Sequence, residues 1–257
     1  MSQTHILYEQ PLSEHFRAYL RLEHLFNQVR QTLDYFDISW AARSAVSAVL
    51  DIINVLDRPD LKTKLFKELN RQINYFVQLR QKPGVDEQRV NEILEELEDL
   101  SAQLQSSTGR LGQKLRENDI LNCARQHLYN PGGACQFDAP LYHFWLTRPT
   151  ADRVATVERW LEEFQLIEGA IRLLLNLTRQ CAHLETCFAK AGFYQLVLPV
   201  DPPCKLVRVY LPASSAIYPE VSVGKHQVYI RLFVRNDEGQ WRKSDEDLEL
   251  QVACCAI

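Results

Sequence analysis

The sequence lacks an apolar run long enough to cross a lipid bilayer. Its longest apolar stretch, residues 171–177, is interrupted by Arg172 and Asn176 and is far shorter than the roughly 20 residues of a spanning helix. Residues 1–5 also lack a basic segment that leads into an apolar one, so no signal peptide is predicted. We therefore expect a cytoplasmic protein that has no membrane partner.

The cysteines lack the spacing of a metal site. The chain has seven of them and contains no CxxC pair and no paired Cys/His spacing. They are Cys123, Cys135, Cys181, Cys187, Cys204, Cys254 and Cys255. In a reducing cytosol we expect free thiols that pack as small apolar side chains, with no metal and no cofactor.

The overall charge gives no reason to expect a nucleic-acid partner. The net charge is −4 over 257 residues, and neither a helix-turn-helix reader nor an aromatic nucleic-acid platform is evident. Hydrophobic residues make up 46% of the chain and charged residues 24%, which is typical of a folded globular protein. The sequence has no internal repeat and no low-complexity segment.

The first two-thirds of the chain show helical periodicity. Two apolar seams with steps of three and four residues flank the turn Lys82-Pro83-Gly84, with Asp86 as a plausible N-cap of the second helix. These seams are Leu61, Leu65, Leu69, Ile73 and Phe76, then Val90, Ile93, Leu97, Leu100 and Leu104. Because the turn is short, they predict a long antiparallel helical hairpin. A long apolar helix is predicted from about residue 166 to 189.

After Gly192 the period changes to two. Val228, Ile230, Leu232 and Val234 share one face, as do Leu248, Leu250 and Val252, so four or five antiparallel strands are predicted. Residues 4–9 are a further strand candidate that could join this sheet. The resulting fold class is α+β, with a mainly helical domain at 1–190 and a small antiparallel β-sheet domain at 191–257.

Charge is unevenly distributed along the chain. Residues 58–82 contain seven bases and two acids, whereas residues 86–99 contain seven acids and one base, so we expect ion pairs across the hairpin turn. A second basic set has no evident internal partner, which indicates either a binding surface or general surface scatter. It comprises Arg17, Arg21, Lys114, Arg116, Arg125, Lys205, Arg208, Lys225, Arg231 and Arg235.

Catalytic chemistry has little support. Cys135, Asp138 and His143 have the residue types of a nucleophile, an acid and a base, but side chains five residues apart on a helix do not face each other. Residues 131–133 form a predicted Pro-Gly-Gly turn and lack the Gly-Lys-Ser/Thr that a phosphate loop needs. We therefore expect no catalytic residues, and a Cys/His hydrolase or metalloprotein is a distant alternative.

Three separated segments resemble the ZapD family of FtsZ-associated division proteins. They read LYEQPLSEHFRAYLRLEHLF from Leu7, ARQHLYNPGGACQFDAPLYHFWL from Ala124, and LELQVACC from Leu248. The resemblance implies a cytoplasmic, non-enzymatic homodimer that is recruited to the midcell division ring. There it would bind the C-terminal peptide of FtsZ and bundle FtsZ filaments. The alternative is a general interaction scaffold that uses the helical hairpin.

The resemblance also implies a basic surface that holds the peptide. By motif position this surface comprises Arg17, Arg21, Arg116, Arg125, His127, His143, Lys225 and Arg231. The chain departs from the family pattern at Asp119 and Gln227, where basic residues are expected, so the surface would be weaker or rearranged there. Aromatic residues beside His143 could add apolar contacts, although we expect Phe144 and Trp145 in the core.

Overall fold

The computed structural model describes residues 5–37, 39–128, 130, 134–236 and 238–256, without the side chain of Ser39. The helices are α1 (Glu14–Leu33), α2 (Ser39–Leu56), α3 (Leu61–Arg80), α4 (Glu87–Ser106), α5 (Gln113–Arg116), α6 (Asp119–His127), α7 (Pro140–Leu146), α8 (Thr150–Glu162) and α9 (Gln165–Gln180). The strands are β1 (His5–Pro11), β2 (Leu184–Ala189), β3 (Phe193–Val197), β4 (Leu206–Pro212), β5 (Ile217–Val223), β6 (Gln227–Arg235), β7 (Trp241–Lys243) and β8 (Leu248–Cys255). This arrangement confirms the α+β class. The predicted turn at residues 131–133, and residue 4 of the predicted first strand, lie outside the described residues.

The described chain divides into two compact units. One unit comprises Ala18–Leu174, and the other comprises the residues before Ala18 together with those from Leu175 onward. The helical unit buries many apolar side chains, and the rings of Phe26 and Phe164 meet there edge to face with their centroids 5.8 Å apart. Arg30 on α1 donates through Nε and Nη2 to both carboxylate oxygens of Glu168 on α9, at 2.8 and 2.7 Å. Helices distant in sequence are thereby joined by a bidentate ion pair.

The hairpin of α3 and α4 is held together by its apolar seam. Leu65, Leu69 and Leu97 are fully buried between the helices, as the periodicity predicts. The expected ion pairs across the turn are wrong for the described residues. The ion pairs there lie within one helix, Arg71 with Glu68 and Arg89 with Glu92. The acids of α4 face solvent because the apolar seam occupies the contact between the two helices.

Asp86 caps α4, and its removal should weaken the hairpin. Its carboxylate accepts a hydrogen bond from the backbone N–H of Arg89 at 3.1 Å, which satisfies a donor that the first turn leaves unpaired. We expect Asp86→Ala to lower the free energy of unfolding by about 1 kcal/mol in urea denaturation followed by circular dichroism. Lys82→Ala, in the same exposed turn, is the matched control and should leave the midpoint unchanged. Equal effects of the two changes would contradict the capping role.

The predicted helix over residues 166–189 is wrong at its C-terminal end. Helix α9 ends at Gln180, and Leu184–Ala189 form strand β2, which pairs antiparallel with β8. The pairing aligns Cys187 with Leu250 and Ala189 with Leu248. The apolar composition of this segment suits either structure, and the presence of β8 as a partner with unpaired backbone groups decides in favour of the strand.

The β-strand unit contains more strands than the sequence predicts. The described residues form two four-stranded antiparallel sheets, one in the order β1-β4-β8-β2, the other β3-β6-β5 with β7 also paired to β6. The period-two residues Val228, Ile230 and Leu232 are fully buried, which confirms the predicted inward face of β6. These side chains share one apolar core with residues of the other sheet, including Val209 and Val252. The outward faces remain available for polar and aromatic side chains.

Two cysteines differ from the expectation of free thiols. Cys204 and Cys254 form a disulfide, with their Cα atoms 5.8 Å apart. The pairing arises because β4 and β8 run side by side with Val207 opposite Cys254, which brings residues 50 positions apart into contact. Among the described residues the other cysteines are not disulfide-bonded, and no group of three or more His, Cys, Asp or Glu side chains could hold a metal ion.

Candidate functional site

The two predicted cations on α1 differ in their surroundings. Arg17 is half-exposed, and its Nε donates to the Glu14 carboxylate at 3.2 Å, one turn earlier on the same helix. Arg21 is exposed and forms no ion pair with any described residue. Exposed i,i+3 pairs stabilise a helix only weakly, so Arg17 could exchange Glu14 for a partner at little cost. Arg21 can contact a partner without first giving up an ion pair.

Arg116 is engaged within its own unit. Its Nε and Nη2 donate to Asp57 Oδ1 at 3.1 and 2.6 Å, and its Nη1 donates to the backbone carbonyl of Leu111. Only 14% of the side chain is exposed. The guanidinium therefore fixes the loop before α5 to the end of α2, which is an internal structural role. Its predicted contact with a partner would require this pair to open.

Arg125, His127 and His143 lie on the adjacent helices α6 and α7. The Nε and Nη2 atoms of Arg125 are buried and have no hydrogen-bond partner in the described chain. His127 and His143 are each half-buried. The structure thus places these three predicted residues on neighbouring elements, although the two buried nitrogens of Arg125 are not presented to a partner.

Several members of the second basic set have internal partners, contrary to the expectation from sequence. Lys114 pairs with Glu163 at 2.9 Å, and Arg208 Nε lies 3.0 Å from Glu9 Oε1. Arg235 Nε donates to the carbonyl of Gly239 at 3.0 Å. The carboxylate partners of Lys114 and Arg208 are distant in sequence, so only the folded chain shows these two ion pairs, whereas the partner of Arg235 is a neutral carbonyl. Among the residues predicted to bind the peptide, Arg21, Lys225 and Arg231 are the exposed cations that form no ion pair within the described chain.

Arg231 lies on the outward face of β6, beside a cavity of about 640 Å³. Its Cζ is 5.7 Å from the centre of the Phe193 ring, and that ring stacks on Tyr229 with centroids 6.0 Å apart. The strand register places Glu220 of β5 directly opposite Arg231. Lys225 is exposed in the turn between β5 and β6. The lining of the cavity therefore combines a guanidinium, a carboxylate and two aromatic rings.

The sequence analysis missed Phe193, Glu220 and Tyr229 as neighbours of Arg231. Tyr229 could have been found, because the period of two in β6 puts residues 229 and 231 on the same face. Phe193 and Glu220 come from other strands, and their position depends on pairing register. Such long-range registers have no signal in the local sequence.

The two departures from the family pattern have local structural explanations. Asp119 is an acid in the first turn of α6, where the positive end of the helix dipole favours a carboxylate. The Gln227 side-chain Nε2 donates to the Tyr229 hydroxyl, and its Oε1 accepts a hydrogen bond from Gln195 Nε2. Gln227 therefore helps to position the Tyr229 ring beside Arg231 without adding charge.

The aromatic residues around His143 are divided between the core and the surface. Trp145 is buried as expected, and its ring centroid is 5.7 Å from that of Trp160. The expectation is wrong for Phe144, which is 59% exposed and lies 5.8 Å from the guanidinium carbon of Arg148. Because an α-helix turns by about 100° per residue, the neighbours Phe144 and Trp145 of α7 point in different directions, one to solvent and one to the core.

Tyr142 is a second buried residue of α7, and its hydroxyl is unpaired. Burial raises the pKa of Tyr142 to about 12, against the opposing influence of Arg43. An unfolded tyrosine ionises near pH 10, so the hydroxyl has no effect on pH-dependent stability below that pH and destabilises the fold as the pH rises from about 10 to 12. The alkaline sensitivity of the protein is expected to include this residue.

We expect Tyr142→Phe to leave stability at pH 7 unchanged or slightly higher, because it removes an unpaired buried hydroxyl. At pH 11 the variant should be more stable than the parent by about 1 kcal/mol, measured by urea denaturation. Tyr35→Phe is the matched control, since Tyr35 is 65% exposed, and it should change neither value. An equal alkaline loss in parent and Tyr142→Phe would contradict this account.

Comparison with known proteins gives a consistent result. The family model described as "ZapD: Cell division protein" matches residues 20–231. The chain is 38% identical to the cell division protein ZapD of Coxiella burnetii (strain RSA 493 / Nine Mile phase I) over 260 residues, covering 100% of both chains. It is 36% identical to that of Cronobacter sakazakii over 253 residues (98% and 100% of the two chains) and 35% identical to that of Azoarcus sp. (strain BH72) over 255 residues (98% and 100%). In the described part of the chain, no helix is long and apolar enough to cross a membrane.

Proposed function

The chain belongs to the ZapD family of cell division proteins, and on that premise we propose that it binds the C-terminal peptide of FtsZ and cross-links FtsZ filaments. In this proposal the protein is a cytoplasmic, non-enzymatic homodimer that is recruited to the midcell division ring. The observation that best supports a peptide-binding role is the accessible Arg231 with its aromatic neighbours. Exposed arginines and aromatics are the residue types that most often anchor protein partners.

The proposed binding mechanism relies on charge-assisted hydrogen bonds. The guanidinium of Arg231 is positioned by the Phe193 ring and presents donors to a carboxylate or a backbone carbonyl of the peptide. Phe193 and Tyr229 offer apolar surface to a neighbouring side chain of the same peptide. Lys225, in the turn before β6, adds positive charge that favours an acidic partner. Each of these contacts is exposed, so binding should weaken as salt concentration rises.

Bundling then follows from avidity. A two-fold dimer presents two identical binding sites, and a filament presents one C-terminal peptide on every subunit. Two weak contacts that act together can hold filaments side by side even where one contact alone would dissociate quickly.

The test is co-sedimentation of the purified protein with GTP-assembled FtsZ, using full-length FtsZ and FtsZ that lacks its C-terminal peptide. We expect the protein to pellet with the full-length form and to remain in the supernatant with the truncated form. Pelleting with both forms would contradict tail-dependent binding and would favour the helical hairpin of α3 and α4 as the contact. No pelleting with either form, from a sample that circular dichroism shows to be folded, would reject the proposal.

A further inference from the structure

The outward face of the sheet formed by β3, β6, β5 and β7 carries a second aromatic cluster, in addition to the pair of Phe193 and Tyr229. The Tyr218 ring stacks on Phe233 with centroids 5.2 Å apart, and Trp241 meets Tyr218 edge to face at 4.9 Å. Trp241 is 51% exposed, so much of its indole ring is open to solvent. Tryptophan and tyrosine are among the side chains that most often anchor a protein partner. The cluster is therefore a second candidate contact on this sheet.

The two clusters lie along β6, with Arg231 between them. Tyr229, Arg231 and Phe233 are alternate residues of this strand and point to the same face, while the residues between them are buried. The strand register places Phe193 of β3 beside Arg231 and Tyr218 of β5 beside Phe233. The face therefore presents an aromatic group, a cation and a second aromatic group at steps of about 6.6 Å, the distance between alternate residues of a strand.

The charges on this face favour a carboxylate ligand. The Arg231 guanidinium lies 5.7 Å from the centre of the Phe193 ring, on the β3 side, whereas Glu220 is opposite on the β5 side and forms no ion pair with it in the described chain. Lys243 and Arg235 border the second cluster, and Arg235 donates to a neutral backbone carbonyl, so no described carboxylate cancels either charge. Three cations and one acid thus surround the aromatic rings, which is complementary to an acidic partner.

From this spacing we propose that the face binds an extended peptide in which one carboxylate is flanked, two positions away on each side, by apolar side chains. Alternate side chains of an extended peptide point the same way and repeat at the same step of about 6.6 Å. A carboxylate on Arg231 therefore places one apolar side chain on Phe193 and Tyr229 and the other on Tyr218 and Trp241. The pattern is symmetrical, so it holds for either chain direction. The inference rests on the proposed function, because it extends the Arg231 contact of the FtsZ peptide to Trp241.

The experiment is fluorescence anisotropy of short labelled peptides titrated with the full-length protein at low salt. The first peptide reads Ser-Phe-Ser-Glu-Ser-Phe-Ser. The second, Ser-Ser-Phe-Glu-Phe-Ser-Ser, has the same composition but directs both phenylalanines away from the face that carries the glutamate, and the third replaces the glutamate of the first by glutamine. We expect saturable binding of the first peptide and binding at least about fivefold weaker for the other two, which lose the aromatic contacts or the charge-assisted contact.

Two variants and a matched control locate the binding. Trp241→Ala should weaken binding of the first peptide by about fivefold, because it removes an aromatic contact at one end of the peptide. Glu220→Gln should strengthen binding by about threefold, because it removes a carboxylate that repels that of the peptide, and a gain cannot arise from loss of folding. Phe188→Ala changes an aromatic residue that is 60% exposed on β2 of the other sheet, and it should leave binding unchanged.

Three outcomes would overturn the proposal: no saturable binding of the first peptide, equal binding of the first two peptides, and unchanged binding by Trp241→Ala. If Trp241→Ala has no effect while Arg231→Gln still weakens binding of the FtsZ C-terminal peptide, the proposed function stands without this extension. If the first peptide binds as expected and the protein fails to pellet with full-length FtsZ, the proposed function fails and the peptide-binding face stands.

Two other occupants of the face would also overturn the proposal. A second copy of this chain is the occupant if Trp241→Ala converts a dimeric parent into a monomer in sedimentation velocity. A single-stranded nucleic acid is the occupant if an oligodeoxythymidine displaces the first peptide at a lower concentration than the FtsZ C-terminal peptide does, since bases also stack on exposed aromatic rings.

Discussion

Arg231→Glu is expected to abolish FtsZ bundling while leaving a folded protein. Reversing the charge removes the donors that would bind a peptide carboxylate and places a second acid directly opposite Glu220. Loss of a charge-assisted hydrogen bond weakens a single contact by about tenfold or more. Since bundling requires two sites to bind at once, the loss at each site is compounded. The measurement is co-sedimentation with full-length FtsZ, together with fluorescence anisotropy of a labelled C-terminal peptide.

Graded variants separate the charge effect from damage to the sheet. Arg231→Gln should weaken peptide binding less than Arg231→Glu, and Phe193→Leu should weaken it while retaining the positive charge. Lys67→Glu makes the same charge reversal on an exposed residue of α3 outside the predicted surface, so it should retain bundling. Full bundling by Arg231→Glu would remove the β6 face from the binding surface and would leave Arg21 as the principal accessible cation.

Removal of the Glu9 carboxylate is expected to cost about 3 kcal/mol of stability, the scale set by breaking a largely buried ion pair. Glu9 accepts hydrogen bonds from Arg179 Nε and Nη2 at 2.9 and 2.7 Å. Arg208 Nε is 3.0 Å from the same group, close enough for an ion pair, although it lacks the alignment of a hydrogen bond. All three side chains are only 17% exposed, so Glu9→Ala would leave two cations close together with little solvent.

Urea denaturation followed by circular dichroism measures this effect. Glu14→Ala is the control: the Glu14 side chain is 74% exposed and its pair with Arg17 spans one helical turn, so the change should cost less than about 0.5 kcal/mol. The double variant Glu9→Ala with Arg179→Gln should lose less than the sum of the two single changes, because each single change already removes the Glu9–Arg179 ion pair. Additive losses would show that Glu9 stabilises β1 by some contact other than this triad.

The periodicity of apolar residues was sufficient to predict a helix or strand that buries only one of its faces. The seam of the helical hairpin and the inward residues of β6 follow directly from spacings of three to four and of two residues. It failed at residues 184–189, where an apolar segment is compatible with either a helix or a strand. It also failed to predict the disulfide between Cys204 and Cys254, because their contact depends on the register of β4 against β8.

The candidate site also combines features that the sequence predicts with features that depend on long-range contacts. The family motifs identify the eight residues, and their assignment to one peptide-binding surface, like the domain boundary near residue 190, stays a prediction. Spacing along the chain could not show that Arg116 is paired with Asp57, because 59 positions separate the two residues. Nor could it show that Phe193 and Glu220 flank Arg231.

The sequence by itself determined the family, the α+β class, the helical hairpin and the buried faces of the principal strands, because these depend on local composition, motif order and periodic burial. Only the tertiary structure decided which charges are free. A guanidinium is neutralised by whichever carboxylate folding brings within about 4 Å, and such pairs join residues that are distant in sequence. That physical reason removes Arg116 and Arg208 from the accessible basic set, and it leaves Arg231 with charge to offer a ligand.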